Sequence, residues 1–222
     1  MQILNYKKTK CVNGCDLFND DSNFLYWENR YATSDEILIP QFINKNYFNT
    51  ELKILHVGIG NSYIALNINN FKKLDGISIS GSEIAYAKKF NIKNYDIIFL
   101  NKFTKDGFHL NNFNNYDIII DVNLKSFSCC KIAFGNLFSN YVSMLKNKGK
   151  IITGKKGMNW SRQIRPIISF SFKKFFYKKL KEIDGPKENI LKIEECYELS
   201  KKYKLKLNQY EDSNLVTFQK LD

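Results

Sequence analysis

From residue 52 onward, short apolar runs alternate with amphipathic segments, and few folds can absorb that order. The runs are KILHV at 53–57, DGISI at 75–79, YDIIFL at 95–100, YDIIID at 116–121 and GKIIT at 149–153. Each is too short for a helix and too continuously apolar for a strand with one wet face. They read as strands buried on both sides, as in a parallel sheet. Between them, residues 62–74, 83–90 and 133–146 carry helical spacing, and 188–203 forms a further helix before two terminal strands at 205–210 and 215–219. Glu-Asp-Ser-Asn between those two is a hairpin signal. Strand–helix alternation implies βαβ units with right-handed crossovers and helices on both faces. The expectation is an α/β, Rossmann-like doubly wound, mostly parallel seven-stranded sheet with an antiparallel C-terminal hairpin strand.

The flanks read differently. Residues 1–20 are polar and irregular, and 22–31 and 35–45 suggest two short helices, with Pro40 marking an early turn or a bend. Residues 1–48 are therefore expected to form a tail and helices closing over the site, and 49–222 the α/β domain. Residues 158–186 interrupt the alternation with a basic, aromatic stretch around FSFKKFFY at 170–177. The spacing of Phe172, Phe175 and Phe176 favours a helix face.

At 222 residues and 44% hydrophobic, the chain has material for one sizeable core, which excludes a disordered or collagen-like chain. No apolar run is long enough for a transmembrane helix, and the first residues lack the apolar stretch of a secretory signal. The five cysteines are odd in number and suit a reducing compartment, so a cytoplasmic protein is expected. Cys11 and Cys15 have half the pattern of a metal site. No second pair or His cluster has matching spacing, so no metal is predicted. The net charge is +12, but lysine is spread along the whole chain rather than gathered in one motif. That pattern fits compositional drift, and net charge alone does not assign a nucleic-acid partner.

The run at 53–57 ends in Gly58-Ile-Gly60. Glycine allows a tight turn, and a second glycine lets backbone approach a ligand. In a doubly wound sheet, ligands bind beyond the strands' carboxyl ends at the topological switch point. Ser80 followed by Glu83 fits a helix capping box.

ILHVGIG at 54–60, LDGISIS at 74–80, YDIIID at 116–121 and MLKNKG at 144–149 together resemble the class I S-adenosylmethionine-dependent methyltransferases. YWENRY at 26–31 is similar to the N-terminal helix of small members, which closes over the cofactor. The resemblance covers about residues 50–222 and implies S-adenosylmethionine as cofactor. It implies that Tyr26, Arg30, His56, Gly58, Gly60, Asn61, Ser62, Ser78, Ile79 and Asn101 line its site. On the acceptor side it implies Asn123, Lys125, Trp160 and Arg162, with Asp121 as the catalytic candidate. Three positions depart from the family pattern. His56 stands for an acidic residue, Ser62 for a third glycine, and Ser78 for the carboxylate that accepts both ribose hydroxyls. A neutral partner there forfeits a charge-assisted bond, about 1–3 kcal/mol.

Methyl transfer from a sulfonium is an in-line displacement in which the protein chiefly positions and desolvates the reactants. The resemblance implies a methyltransferase acting on a small-molecule or saccharide-like acceptor. No Pro-Pro-Tyr follows Asp121, which counts against nucleobase amines. The alternatives are a non-catalytic binding or partner protein on the same fold, and a protein or RNA methyltransferase. The basic 162–181 stretch motivates the RNA version.

Overall fold

The computed structural model describes residues 3–5, 10–17, 24–48, 50–105, 107–108, 115–159, 162–168, 178–184, 189–212 and 214–222. Ten strands and seven helices are present among them: β1 (Ile3–Asn5), α1 (Phe24–Asn29), α2 (Ser34–Asn46), β2 (Leu52–Val57), α3 (Tyr63–Asn67), β3 (Phe71–Ser78), α4 (Gly81–Lys88), β4 (Tyr95–Phe99), β5 (Tyr116–Asp121), α5 (Lys131–Met144), β6 (Leu145–Gly154), α6 (Lys155–Met158), β7 (Arg162–Ile168), β8 (Lys178–Asp184), α7 (Ile193–Lys202), β9 (Leu205–Tyr210) and β10 (Leu215–Lys220).

Eight strands form one sheet in the order β1-β4-β3-β2-β5-β6-β10-β9. Seven of them are the expected sheet, parallel except for β10, which runs antiparallel to both β6 and β9. The eighth, β1, lies parallel to β4 at the edge, in a stretch whose sequence reads as irregular.

Alternation within each strand sends side chains to two cores. Leu55, Val57, Ile119, Ile151 and Phe218 pack with Leu137, Phe138 and Tyr141 of α5 and Cys196 of α7. Ile54, Ile118, Ile120 and Ile152 pack with Ile39, Phe42 and Ile43 of α2, Ile64 of α3 and Ile84 of α4. Both faces are covered, which is why these strands read as apolar runs without polar alternation.

Two expectations are corrected. The helix foreseen over 62–74 is the five-residue α3, and residues 71–74 already belong to β3, where Lys73 pairs with Asp96 of β4. Pro40 does not mark an early turn. It lies in the middle of α2. It carries no N–H for the Glu36 carbonyl one turn back. The basic stretch contributes an antiparallel pair, β7 with β8. Phe172, Phe175 and Phe176 lie outside the described residues.

Candidate functional site

After β2 the chain steps outward to β3 and β4, then returns to place β5 on the other side of β2. The switch point therefore lies between β2 and β5, where Val57 pairs with Asp121. The Gly58 turn and the loop after Asp121 leave the sheet side by side, at the edge where this architecture binds ligands.

Gly58 and Gly60 have φ of +72° and +56°, and Ser62 has φ of +62°. Ser62 thus adopts the left-handed backbone that a third glycine would take without strain. A Cβ on Gly58 would meet nothing within 4 Å, whereas one on Gly60 would lie 2.8 Å from Glu36 Oε1 and 3.4 Å from an Arg30 guanidinium nitrogen. Gly60 is therefore glycine because the segment before α2 lies directly on it.

That segment is fastened by its own polar groups. Thr33 caps α2, accepting from the Glu36 N–H at 3.3 Å, while the Thr33 N–H donates to Glu36 Oε2 at 2.7 Å. This reciprocal box satisfies two otherwise unpaired donors. Glu36 also accepts from Arg30 at 3.1 Å. Arg30 lies over the Trp27 ring at 5.9 Å, and its carbonyl accepts from the Asn61 side chain at 2.8 Å. Next to Glu36, Asp35 accepts from the Gly157 N–H at 2.8 Å. It also fills the space a Gly154 side chain would need. The first turn of α2 thus reaches from the end of β2 to the end of β6, across the end of β5. Helix α1 is anchored beside it, with Trp27 donating to Ser82 Oγ at 3.0 Å and Glu28 paired with Lys89 at 2.9 Å. Tyr26 is exposed and lies edge-on to Trp27, 4.9 Å between centroids.

Among the described residues of these elements, four buried polar atoms make no hydrogen bond: His56 Nδ1, Asp35 Oδ1, Ser62 Oγ and one Arg30 guanidinium nitrogen. The Arg30 nitrogen lies 3.0 Å from Glu36 without bonding geometry. Burial pushes the His56 imidazole down to about 3, so it is neutral at pH 7. Burial also raises the Asp35 carboxyl, against the pull of the Gly157 N–H and Lys156.

At the end of β3, Ser78 is buried, accepts from the Ser80 N–H at 2.9 Å and donates to Glu83 Oε2. The capping box foreseen at Ser80 is half present. Ser80 accepts from the Glu83 N–H at 3.3 Å, but the Glu83 side chain turns inward to Ser78 instead of back to Ser80. A carboxylate therefore lies against Ser78 from five residues on, a contact that looks like ordinary capping in the sequence. Ile79 is half-buried beside it, and Asn101, beyond β4, accepts from the Phe103 N–H at 3.0 Å.

At the end of β5, Asp121 is buried and ion-paired with Lys102 at 2.8 Å, and it accepts from Tyr141 at 2.9 Å. Lys102 also donates to the carbonyls of Asn123 and Leu124 at 2.7 and 3.2 Å, fixing the loop's path. Burial lowers the Lys102 ammonium and Asp121 opposes that. Sequence reading missed Lys102 because one lysine among many after a strand has no distinguishing neighbour. Lys125 is buried and paired with Glu195 of α7 at 2.6 Å, so it ties the loop to α7. Arg162 opens β7 opposite Asp184, away from the main sheet's ladder, and Trp160 lies outside the described residues.

No family model matches the chain, and no curated protein matches it. Solved structures do. The sugar N-methyltransferase KedS8 from Streptoalloteichus sp ATCC 53650 superimposes with a TM-score of 0.61 at 9% identity, over 95% of this chain and 98% of that one. The N-methyltransferase NodS from Bradyrhizobium japonicum WM9, in complex with S-adenosylhomocysteine, gives 0.53 at 12% identity, over 91% and 90%. CalS10, a SAM-bound amino pentose methyltransferase from Micromonospora echinaspora, gives 0.54 at 8% identity, over 88% and 94%. At such identities the likeness concerns architecture. The chain has the fold of the class I S-adenosylmethionine-dependent methyltransferases.

Proposed function

We propose that the chain is an S-adenosylmethionine-dependent methyltransferase acting on a small, saccharide-like acceptor, with an amino-sugar nitrogen as the leading candidate. The observation that carries the reading is the pair of buried polar atoms without a hydrogen bond, Asp35 Oδ1 and His56 Nδ1, on the elements that meet at the switch point. A buried polar atom left unpaired costs about 1–3 kcal/mol, and a polar ligand removes that cost. Solved structures like it in fold, with nearly full mutual coverage, include a sugar N-methyltransferase and an amino pentose methyltransferase.

In this reading Gly58 and Gly60 let backbone approach the methionine half of the cofactor, and Arg30 pairs with its carboxylate. His56 stays neutral and offers a hydrogen bond without a charge. Glu83, held by Ser78, takes the ribose hydroxyls. When bound, the cofactor would supply an electrophilic methyl, and the chain's own part would be to hold the acceptor nitrogen in line with it and exclude water. Water or a nearby base would take the proton that the methylated amine sheds. Asp121 acts by fixing, with Lys102, the loop against which the acceptor lies. Asn123 and Lys125 stand in that loop. Among the described residues no helix is long and apolar enough to cross a membrane. The five free cysteines fit a reducing, cytoplasmic setting.

The test is titration with S-adenosylhomocysteine. Ligand at about 100 times its Kd should stabilise the fold by roughly 2.7 kcal/mol. That is a rise in Tm of about 5–10 °C for a chain of this size. Radiolabel from methyl-labelled cofactor should then pass to an amino sugar nucleotide. Absence of both heat and thermal shift at millimolar ligand overturns the cofactor assignment. Binding without transfer to any sugar amine overturns the acceptor assignment.

A further inference from the structure

Four of the five cysteines come together as two pairs that lie more than a hundred residues apart in sequence. Sγ atoms of Cys11, Cys15, Cys129 and Cys130 all lie within 4.8 Å of one another, and no pair is joined as a disulfide. We propose that these four thiolates bind a single tetrahedral zinc ion, which ties the N-terminal segment to the start of α5.

The distances favour one ion. With Zn–S of about 2.3 Å, sulfurs at the corners of a tetrahedron stand about 3.8 Å apart. Cys129 and Cys130 are already at 4.0 Å, so closure needs shifts of an ångström or less. An iron–sulfur cluster, whose ligands bind different irons, needs its sulfurs spread more widely than this.

The surroundings are built for thiolates. Residues 11–15 form a tight turn, with the Gly14 N–H donating to the Cys11 carbonyl at 2.9 Å and the Cys11 N–H to the Cys15 carbonyl at 3.0 Å. Gly14 takes φ of +78°, so the turn accepts a glycine more readily than any other residue. That geometry points both sulfurs the same way and aims the Asn13 N–H at Cys11 Sγ, 3.3 Å away. From the other side, Cys130 caps α5 and accepts from the Ala133 N–H at 3.4 Å. The first turn of α5 holds no acidic residue, so its positive end faces the sulfurs unopposed. Cys11 is buried and Cys129 exposed, which gives the ion a floor and an entry side.

Each half comes from a different element. The Cys11 turn is bridged to Thr104 beyond β4, and Cys129 and Cys130 close the loop that begins at Asp121. The zinc therefore fastens the N-terminal segment and the loops after β4 and β5 at the switch-point edge. The inference does not rest on the methyltransferase reading. The spacing rule that predicts no metal fails because the second pair is contributed by the fold, not by the local sequence.

The full chain, purified without a metal-binding tag under reducing conditions and reconstituted with zinc, should carry about one zinc per chain. The Cys11→Ser, Cys129→Ser double variant should fall below about a tenth of that. Cys196→Ser, whose sulfur lies in the main core, should keep its zinc. Should the double variant fail to fold, cobalt added to the metal-free wild type decides the matter, because tetrahedral cobalt with four thiolates has intense visible bands and strong sulfur-to-metal charge transfer. Zinc below about a tenth per chain after reconstitution, or a cobalt spectrum without thiolate bands, overturns the proposal. So does iron in place of zinc, or peptide maps showing Cys11–Cys129 disulfides in protein kept reduced.

Discussion

Glu36 holds its Oε1 where a side chain on Gly60 would have to begin, 2.8 Å from the position of that Cβ. The same carboxylate caps α2 and receives Arg30, so it has little freedom to retreat. The turn at the switch point and the segment that covers it are thus fitted to each other through a missing methyl group.

Gly60→Ala should therefore cost more than Gly58→Ala. Both residues have positive φ, so each variant loses about 1–2 kcal/mol to the left-handed backbone. Only position 60 adds a collision. Thermal unfolding should show Gly60→Ala lower than Gly58→Ala by several degrees, at about 2–4 °C per kcal/mol for this length. Equal losses would mean that Glu36 is not seated on the turn.

Acid should reveal His56. Its folded value of about 3 lies below the ordinary 6.5, so between those values the unfolded chain binds more protons. Stability therefore rises with pH across that window and is lost as pH falls below about 6.5. Going from pH 6.5 to 5 should remove roughly 2 kcal/mol through this group. Asp35, raised by burial, contributes with the opposite sign, since its stabilisation is lost as pH rises above the ordinary carboxyl value. Urea denaturation of wild type and His56→Asn at several pH values reads the slopes. An unchanged slope in the variant would exclude a neutral, buried imidazole.

Much of the sheet is legible in the sequence because β2, β5 and the second half of β6 are buried on both faces and show it as short runs rich in Ile and Leu. The start of β3 is not, because Lys72 and Lys73 dilute the run, and Lys73 finds its partner Asp96 on a neighbouring strand. The glycine turn announces itself, since positive φ and close approach leave few other choices of residue. Glu83 does not, because the same Ser-x-x-Glu spacing serves a helix cap whichever way the carboxylate turns. Nor does the cysteine cluster, whose halves meet only once the N-terminal segment and the loop after β5 are folded.

Glu83→Gln should weaken S-adenosylhomocysteine binding by about tenfold, since a charge-assisted bond becomes a neutral one at a cost near 1.4 kcal/mol. Ser78→Ala should weaken it less, because the serine orients the carboxylate and does not replace it. Calorimetric titration of both variants gives the order. Loss of affinity in Ser78→Ala with none in Glu83→Gln would assign the ribose to the serine. The charge itself would then have no part in the site.

The Lys102–Asp121 pair sets the last prediction. Asp121 is almost wholly buried, and Lys102 nearly so, with Lys102 also holding two loop carbonyls. Lys102→Met removes the counter-charge and leaves the carboxylate with Tyr141 alone, which should cost about 3–5 kcal/mol. Adding Asp121→Asn removes the stranded charge, so the double variant should regain a large part of that loss despite carrying two substitutions. If Asp121 instead faced bulk water, Lys102→Met would cost less than about 1 kcal/mol and the second substitution would restore nothing. Urea denaturation of the two single variants and the double variant closes the cycle. A coupling of several kcal/mol would show that this carboxylate is bound into the loop's architecture and is not a free base waiting for a substrate proton.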